Sequence, residues 1–265
     1  MLQYRLELLS HCELKREVDA MHVVGAENLT KADNSGRPVI YVTAHYGAFM
    51  LAALKAAMIS KSRKVNFFYN PEDRNEYAPK SAALIEFMNS SCGIIHNTRA
   101  GILSALKCLK RGESLCIVAD QINPESEMLF VPFFGRFYAA MPGTAFFADR
   151  VDALIVPCFA RNARNSTVLE AHAPIDPRTL RCQSPAERHY ILTSAIFAAF
   201  EKQIRQAPTP WRYWRKFEAQ TVAFPAIPKS DADVRRGLQQ FGDILSHDFD
   251  LSHKCLAYAN GHHDL

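Results

Sequence analysis

The chain has 265 residues, of which 48% are hydrophobic, and this is enough to build one well-buried domain. Its 31 Lys and Arg outnumber its 27 Asp and Glu by only four, which argues against a nucleic-acid-binding surface. The seven cysteines are odd in number and never form a Cys-x-x-Cys pair, so neither a disulfide framework nor a zinc site is expected and a reducing compartment is favoured. They are Cys12, Cys92, Cys108, Cys116, Cys158, Cys182 and Cys255.

Apolar residues recur at helical spacing between residues 1 and 20, with charges between them, and this pattern predicts an amphipathic helix. Its apolar face could pack on the protein's own core, on a bilayer surface or on a second subunit. No secretion signal is visible at this end. The longest apolar-leaning stretch, residues 139–159, is interrupted by prolines and charges and does not predict a membrane span. We therefore expect a cytoplasmic protein, with peripheral contact to the inner face of the cell membrane left open.

From Pro38 onward, apolar strand patterns alternate with helical patterns. This alternation predicts crossover units and an α/β fold with a largely parallel sheet. We expect a single domain over residues 1–224 and a C-terminal extension over 225–265, which holds one possible helix and a histidine-rich end. The predicted strands are 39–44, 65–69, 94–95, 115–119 and 154–157, and the predicted helices are 47–60, 76–91, 100–110, 142–151 and 185–206.

His45 follows the first of these strands and stands just before a predicted helix. It therefore lies at the carboxyl edge of the sheet, where ligands and catalytic groups collect in open α/β folds. A histidine there can take a proton from a hydroxyl or an amine if a second group holds the ring in the productive tautomer. The alternative is a capping or hydrogen-bonding residue.

Five short motifs, the first of which contains His45, occur in a single order along the chain and together point to one family. They are His45-Tyr46-Gly47, Thr98-Arg99-Ala100-Gly101, Gly112-Glu113 leading through a strand to Asp120-Gln121, Phe130-Val131-Pro132-Phe133-Phe134-Gly135, and Pro208-Thr209-Pro210-Trp211-Arg212-Tyr213-Trp214. Over roughly residues 20 to 218, this order resembles the lipid A biosynthesis (lauroyl/myristoyl) acyltransferase family.

The resemblance implies a glycerolipid-acyltransferase-like α/β fold, with a mixed, largely parallel sheet flanked by helices. It also implies transfer of a fatty acyl group from an acyl carrier protein or coenzyme A thioester to a hydroxyl, without a metal or an organic cofactor. The acceptor is then a small molecule or a lipid. In that family a histidine is followed after four residues by Asp or Glu, and here Met50 stands at the acidic position.

This departure matters because a thioether cannot orient the histidine ring or stabilise an imidazolium as a carboxylate does. Three outcomes are open: the histidine acts alone, another acid replaces the missing one, or acyl transfer has been lost in favour of binding. We favour a substitute acid or an easily deprotonated acceptor such as an amine. Asp120 is the leading candidate, because it ends a predicted strand at the same sheet edge as His45. The alternative for Asp120 is a turn-stabilising residue.

Arg99 resembles the family's arginine before a helix, and its guanidinium could bind a phosphate or steady the thioester oxygen. The alternative is a surface salt bridge. We thus assign His45, Asp120 and Arg99 to catalysis. The residues assigned to substrate binding are Tyr46, Gly47, Met50, Gln121, Phe133, Phe134 and Gly135, with Phe130 to Gly135 forming an apolar wall that turns at Gly135.

The segment 211–216 places Arg and Lys among large aromatic residues. It could contact lipid headgroups or accept the acidic helix of a carrier protein, or its aromatics could pack inside. The expected reaction is a direct transfer with His45 as general base, since no cysteine has a recognisable nucleophile setting. The rivals are a thioesterase or biosynthetic helper acting on carrier-bound acyl chains, and a non-catalytic subunit that binds acyl chains or their carrier.

Overall fold

The structure is a computed structural model that describes residues 8–60, 64–70, 86–87, 90, 92–121, 128–163, 166–182 and 184–222. Two predicted regions lie largely or wholly outside these residues: the helix at about 76–91 and the C-terminal extension 225–265. Residues 1–7 of the predicted amino-terminal helix also lie outside them.

Four predicted helices, 47–60, 100–110, 142–151 and 185–206, are observed with ends within two residues of the prediction. The helices Ala26–Asn34 and Phe217–Gln220 were not predicted. Helix α1 begins later than predicted, at His11, where Ser10 and Glu13 form a reciprocal capping box. The α-helices are α1 (His11–Asp19), α2 (Ala26–Asn34), α3 (Phe49–Ile59), α4 (Arg99–Lys110), α5 (Gly143–Val151), α6 (Pro185–Gln206) and α7 (Phe217–Gln220), and Pro177–Thr179 and Arg212–Lys216 form short 3₁₀ helices.

The strands include all those predicted from the sequence and five that were not. They are β1 (His22–Val24), β2 (Val39–Thr43), β3 (Val65–Tyr69), β4 (Gly93–His96), β5 (Ser114–Val118), β6 (Leu129–Phe133), β7 (Arg136–Ala140), β8 (Leu154–Ala163), β9 (Ser166–Ala171) and β10 (Thr221–Val222). The five that were not predicted are β1, β6, β7, β9 and β10.

The main sheet has seven strands in the order β1-β9-β8-β2-β5-β3-β4. Every neighbouring pair is parallel except β8 and β9, which form an antiparallel hairpin. This confirms the predicted α/β fold with a largely parallel sheet. All five residues of β2 are buried, as expected for a central strand covered by helices on both faces.

Alternating residues of β2 divide the core into two layers. Ile40 and Val42 face a layer built with α5, α6 and the β6–β7 hairpin. Val39 and Tyr41 face the opposite layer, which includes α1, α2 and α3. Continuing the alternation places His45 on the second side, next to the start of α3.

A second, antiparallel sheet has the order β10-β7-β6. The sequence predicted the turn at Gly135 but not the return strand β7. Both turn residues, Phe134 and Gly135, have positive φ, of 53° and 69°, which matches the twist that a two-residue hairpin requires. Among the helices in the described ranges, none has the length and hydrophobicity needed to cross a bilayer.

Candidate active site

Two strand ends bring the central residues of the site together. Strands β2 and β5 are parallel neighbours, with Thr43 opposite Val118. Two residues further along each strand stand His45 and Asp120. Because the register carries on past the strand ends, the two side chains meet at the carboxyl edge of the sheet, although 75 residues separate them in sequence.

Two hydrogen bonds join His45 to Asp120. The ring nitrogen Nδ1 lies 2.7 Å from Oδ1 of the carboxylate, and the backbone N–H of His45 donates to Oδ2 at 2.9 Å. Because a carboxylate only accepts hydrogen bonds, the neutral ring carries its proton on Nδ1 and keeps its basic lone pair on Nε2. The predicted substitute acid is therefore in contact with the predicted base.

Asp120 is held by two further residues, one of which donates to its carboxylate. The indole N–H of Trp211 donates to Oδ2 at 2.9 Å. The hydroxyl of Tyr138 donates to the backbone carbonyl of Asp120 at 2.8 Å. Burial raises the pKa of Tyr138, and the neighbouring Asp120 carboxylate raises it further, so this hydroxyl stays protonated and remains a donor.

The imidazole of His45 is covered by aromatic side chains. It meets Phe49 and Tyr213 edge to face, at centroid distances of 4.9 and 5.0 Å. Only 3% of His45 is exposed. The sequence led us to expect a ring facing an apolar slot at the sheet edge; within the described part of the chain, the ring is instead covered.

Met50 lies in the apolar core rather than beside the histidine's carboxylate. It is 3% exposed and belongs to the hydrophobic layer that includes Leu51 and Leu54 of α3. A methionine fits this setting because an apolar environment disfavours a charge. The substrate-binding role predicted for Met50 therefore has no support from its packing.

Tyr46 and Gly47 follow His45 in sequence, and their contacts hold the backbone of this segment in place. Tyr46 is fully buried, packs against Phe159, and donates its hydroxyl to the carbonyl oxygen of Ala207 at 2.9 Å. Gly47 has a φ of +56°, and a Cβ there would lie 2.2 Å from the carbonyl oxygen of Ala160. These contacts indicate structural roles, and the substrate-binding roles of Tyr46 and Gly47 stay predictions from the sequence.

Gln121 turns towards β3, away from His45. Its side-chain oxygen accepts a hydrogen bond from Asn70 Nδ2 at 3.0 Å, and Asn70 Oδ1 accepts one from Asn97 at 2.9 Å. These amides follow the ends of β5, β3 and β4, so they form a polar row along the same sheet edge. This contact joins the segments that follow β5 and β3, and the substrate-binding role of Gln121 stays a prediction.

Arg99 is the first residue of α4 and follows β4, the edge strand. Three strand spacings, or about 14 Å, separate β4 from β2, so Arg99 stands apart from His45 and Asp120. Its side chain is exposed. This position suits a contact with a remote part of a ligand better than contact with the thioester oxygen.

The apolar wall predicted at residues 130–135 packs around Trp211. Phe133 is fully buried, and its ring centroid lies 5.4 Å from that of Trp211. Phe134 stacks on Trp211 at 6.4 Å, and its backbone N–H donates to Glu201 at 2.6 Å. Gly135 completes the hairpin turn. The wall is thus part of the core behind Asp120.

Sequence reasoning did not identify the hydrogen-bond partners of Asp120. The sequence places Trp211 in an aromatic and basic segment, but nothing local in it indicates where the indole N–H points. Tyr138 lies on β7, which was not predicted. The polar residues that follow β3 and β4, Asn70 and Asn97, did carry a usable signal, since parallel strand ends share one edge.

Within the described ranges, no group of three or more His, Cys, Asp or Glu side chains could hold a metal ion.

Comparisons with known proteins identify the family of this chain. A search of curated protein sequences finds no significant match. Among solved structures, the 1-acyl-sn-glycerophosphate (LPA) acyltransferase PlsC from Thermotoga maritima is similar at 13% sequence identity, with a TM-score of 0.47 over 76% of this chain and 81% of that chain. The family model for bacterial lipid A biosynthesis acyltransferases matches residues 3–216. Because this match spans well over half of the sequence, the chain belongs to the bacterial lipid A biosynthesis acyltransferase family.

Proposed function

We propose that this acyltransferase moves a fatty acyl group from an acyl carrier protein or coenzyme A thioester to a hydroxyl or amine, with His45 as general base. The observation that carries the proposal is the 2.7 Å contact between His45 Nδ1 and Asp120 Oδ1. A base oriented by a carboxylate is the arrangement that acyl transfer to a weakly acidic acceptor needs. Asp120 supplies the carboxylate that the methionine at residue 50 lacks.

The proposed reaction begins when Nε2 of His45 accepts the proton of the acceptor hydroxyl or amine. The acceptor then attacks the thioester carbonyl carbon, forming a tetrahedral intermediate with negative charge on its oxygen. The intermediate collapses by breaking the carbon–sulfur bond, and the imidazolium returns its proton to the leaving thiolate. Asp120 stabilises the imidazolium while it carries that proton.

The buried cysteines favour direct transfer over an acyl-enzyme intermediate. Burial raises the pKa of Cys92 and of Cys158 to about 12, and it raises the pKa of Cys116 well above its ordinary value. These thiols remain protonated near neutral pH, and a protonated thiol is a poor nucleophile.

For a substrate to reach His45, the side chains that cover its imidazole have to move. Because only 3% of His45 is exposed, side chains that cover it, including Phe49 and Tyr213, must move aside for the acceptor to reach Nε2. Tyr213 lies in the short 3₁₀ helix Arg212–Lys216, and short helices of this type have weaker hydrogen-bond geometry than α-helices. We propose that this turn moves when substrate binds.

The donor is proposed to carry a phosphate group, which both coenzyme A and carrier-protein thioesters possess. The exposed guanidinium of Arg99 at the start of α4 is suited to bind such a group. Exposed Arg215 and Lys216 add positive charge that an acidic carrier protein or the anionic inner face of the cell membrane would attract. We propose a cytoplasmic site of action on these grounds.

Thiol release from acyl thioesters tests the proposal. The purified full chain is incubated with acyl carrier protein thioesters or acyl coenzyme A, with and without hydroxyl and amine acceptors, and acylated products are identified by mass spectrometry. Release that requires an acceptor supports transfer. Release without any acceptor indicates a thioesterase, and binding without release indicates a non-catalytic subunit; either result would overturn the proposal.

His45→Ala is the matched test of the base. We expect it to lower kcat by at least about 100-fold, since general-base catalysis contributes about 10² to 10⁴. His189→Ala is the control, because His189 pairs with Asp149 on the surface-facing side of α6 and lies outside the site. Undiminished transfer by His45→Ala would remove His45 from the mechanism.

A further inference from the structure

We infer that Trp211 is a positioning residue of the active site, whose indole N–H orients the Asp120 carboxylate for its work on His45. This inference rests on the proposed function, which it deepens. The indole nitrogen Nε1 of Trp211 lies 2.9 Å from Oδ2 of Asp120. This hydrogen bond does not involve His45 directly. Its effect on the reaction is transmitted through the carboxylate.

The hydrogen bonds of Asp120 show why a third donor matters. Oδ1 faces the ring of His45, while Oδ2 accepts both the His45 backbone N–H and the Trp211 indole N–H. With two donors on Oδ2, rotation of the carboxylate about its Cβ–Cγ bond would break two hydrogen bonds. The geometry therefore keeps Oδ1 on the ring, where it selects the tautomer with its basic lone pair on Nε2.

Burial makes this third donor consequential. Asp120 is 1% exposed and Trp211 is 2% exposed, so no bulk water is at hand to replace a lost N–H. A hydrogen bond to a charged group in such surroundings is stronger than one in water, and leaving the acceptor unsatisfied carries a large penalty.

Backbone contacts fix the indole in place relative to the base. Trp211 forms an isolated bridge with Tyr46, the N–H of Arg212 donates to the carbonyl of His45 at 3.0 Å, and the N–H of Gly47 donates to the carbonyl of Pro210 at 3.1 Å. His45 and Gly47, on either side of Tyr46, are thus tied to the residues on either side of Trp211.

A double-mutant cycle tests the inference. The variants are Trp211→Phe, which keeps an aromatic ring but removes the N–H, Asp120→Asn, and the combination. In the wild-type background, Trp211→Phe is expected to lower kcat about 10-fold or more with little change in KM. In the Asp120→Asn background, the same change should lower kcat less than about twofold, because its target is already altered.

Thr193→Val is the matched control. The hydroxyl of Thr193 is buried in α6 and donates to the carbonyl of His189 at 2.7 Å, outside the active site. Its loss should leave kcat within about twofold of the wild type. If Trp211→Phe fails to fold, Trp214, the other tryptophan of the chain, is replaced by Phe, and Trp211 is then replaced by the benzothiophene analogue of tryptophan, in which sulfur takes the place of the N–H. A fall in kcat of about 10-fold is expected relative to the Trp214→Phe protein with ordinary tryptophan.

Two results would overturn the inference: an equal loss of kcat from Trp211→Phe in both backgrounds, or full activity of the benzothiophene protein. If the wild type transfers no acyl group, the proposed function fails and the same four proteins are compared by denaturant unfolding. A midpoint loss from Trp211→Phe that shrinks in the Asp120→Asn background then supports the hydrogen-bonded positioning of Asp120. Equal losses in the two backgrounds overturn it.

Discussion

His45 and Asp120 are joined twice, once through the imidazole at 2.7 Å and once through the backbone N–H of His45 at 2.9 Å. The second bond is available only because the two strands are parallel neighbours in register. A carboxylate that is hydrogen-bonded to both the main chain and the ring of the same residue restrains the orientation of that ring. In the proposed mechanism, Asp120 supplies the carboxylate that is absent at residue 50.

Restoring the family's acid at residue 50 should harm the protein. Met50→Glu places a carboxylate in a position that is 3% exposed and surrounded by apolar side chains. We expect the free energy of unfolding to fall by about 3 kcal/mol or more, with no gain in kcat per folded molecule. Met50→Leu is the control and should cost less than about 1.5 kcal/mol. A stable and more active Met50→Glu protein would contradict this account.

Gly47→Ala should be strongly destabilising. The new Cβ would lie 2.2 Å from the Ala160 carbonyl oxygen, at a residue whose φ is +56°, so we expect a loss of about 2 to 4 kcal/mol in denaturant unfolding. Gly36→Ala isolates the cost of positive φ, because its φ is +69° with open space around it, and should cost about 1 kcal/mol.

Gly143→Ala completes this comparison. Gly143 begins α5 with open space around its Cβ position and without a positive φ. Its stability should be unchanged or higher, because alanine favours a helix over glycine by up to about 1 kcal/mol. Equal stabilities for all three variants would mean that the approach to Ala160 does not constrain residue 47.

Arg99→Ala should weaken donor binding without slowing the chemical step. Because Arg99 follows β4, which lies about 14 Å across the sheet from β2, we expect KM for a phosphate-bearing thioester to rise about 10-fold with kcat unchanged. A simple acyl thioester without phosphate should show no change in KM. Lys110→Ala, an exposed change at the far end of α4, serves as the control. A lower kcat with unchanged KM would instead put Arg99 in contact with the reacting atoms.

The ion pair between Arg37 and Asp176 should make stability depend on pH in the acid range. Hydrogen bonds from the Arg37 guanidinium, at 2.7 and 2.8 Å, hold the pKa of Asp176 below its ordinary value. A lowered folded-state pKa stabilises the protein at pH values above the unfolded-state pKa, near 4, and this contribution is lost as the pH falls through the folded-state value.

Asp176→Asn should therefore lower the free energy of unfolding by about 1 kcal/mol at pH 7. The difference from the wild type should shrink progressively as the pH is lowered below about 4, which denaturant unfolding at a series of pH values can follow. Asp19→Asn, at a more exposed pair with Lys15, should have a smaller effect at every pH. A difference that stays constant down to pH 2 would exclude the ion pair as its source.

Local sequence patterns predict many of the strands and helices. The apolar run that precedes His45 predicts a buried strand, and the spacing of apolar residues along 185–206 predicts the helix that is observed as Pro185–Gln206. Strand β7 was missed because its sequence, Arg-Phe-Tyr-Ala-Ala, has no β-branched residue and no alternation of apolar and polar residues. The turn at Gly135 was predicted from its residue type, whereas the return strand β7 can be recognised only from its pairing with β6.

Local patterns could also place His45 and Asp120 at one edge, because each follows a buried strand and parallel strands end on the same side. They could not make the two residues neighbours, since strand order and register depend on which distant segments pair with the lowest free energy. The same holds for Trp211, whose N–H reaches a carboxylate 91 residues away in sequence, and for Met50, whose burial depends on how α3 packs on the sheet. Periodicity and residue type act over a few residues and so reveal the elements, whereas contacts between elements follow from the packing of the whole chain.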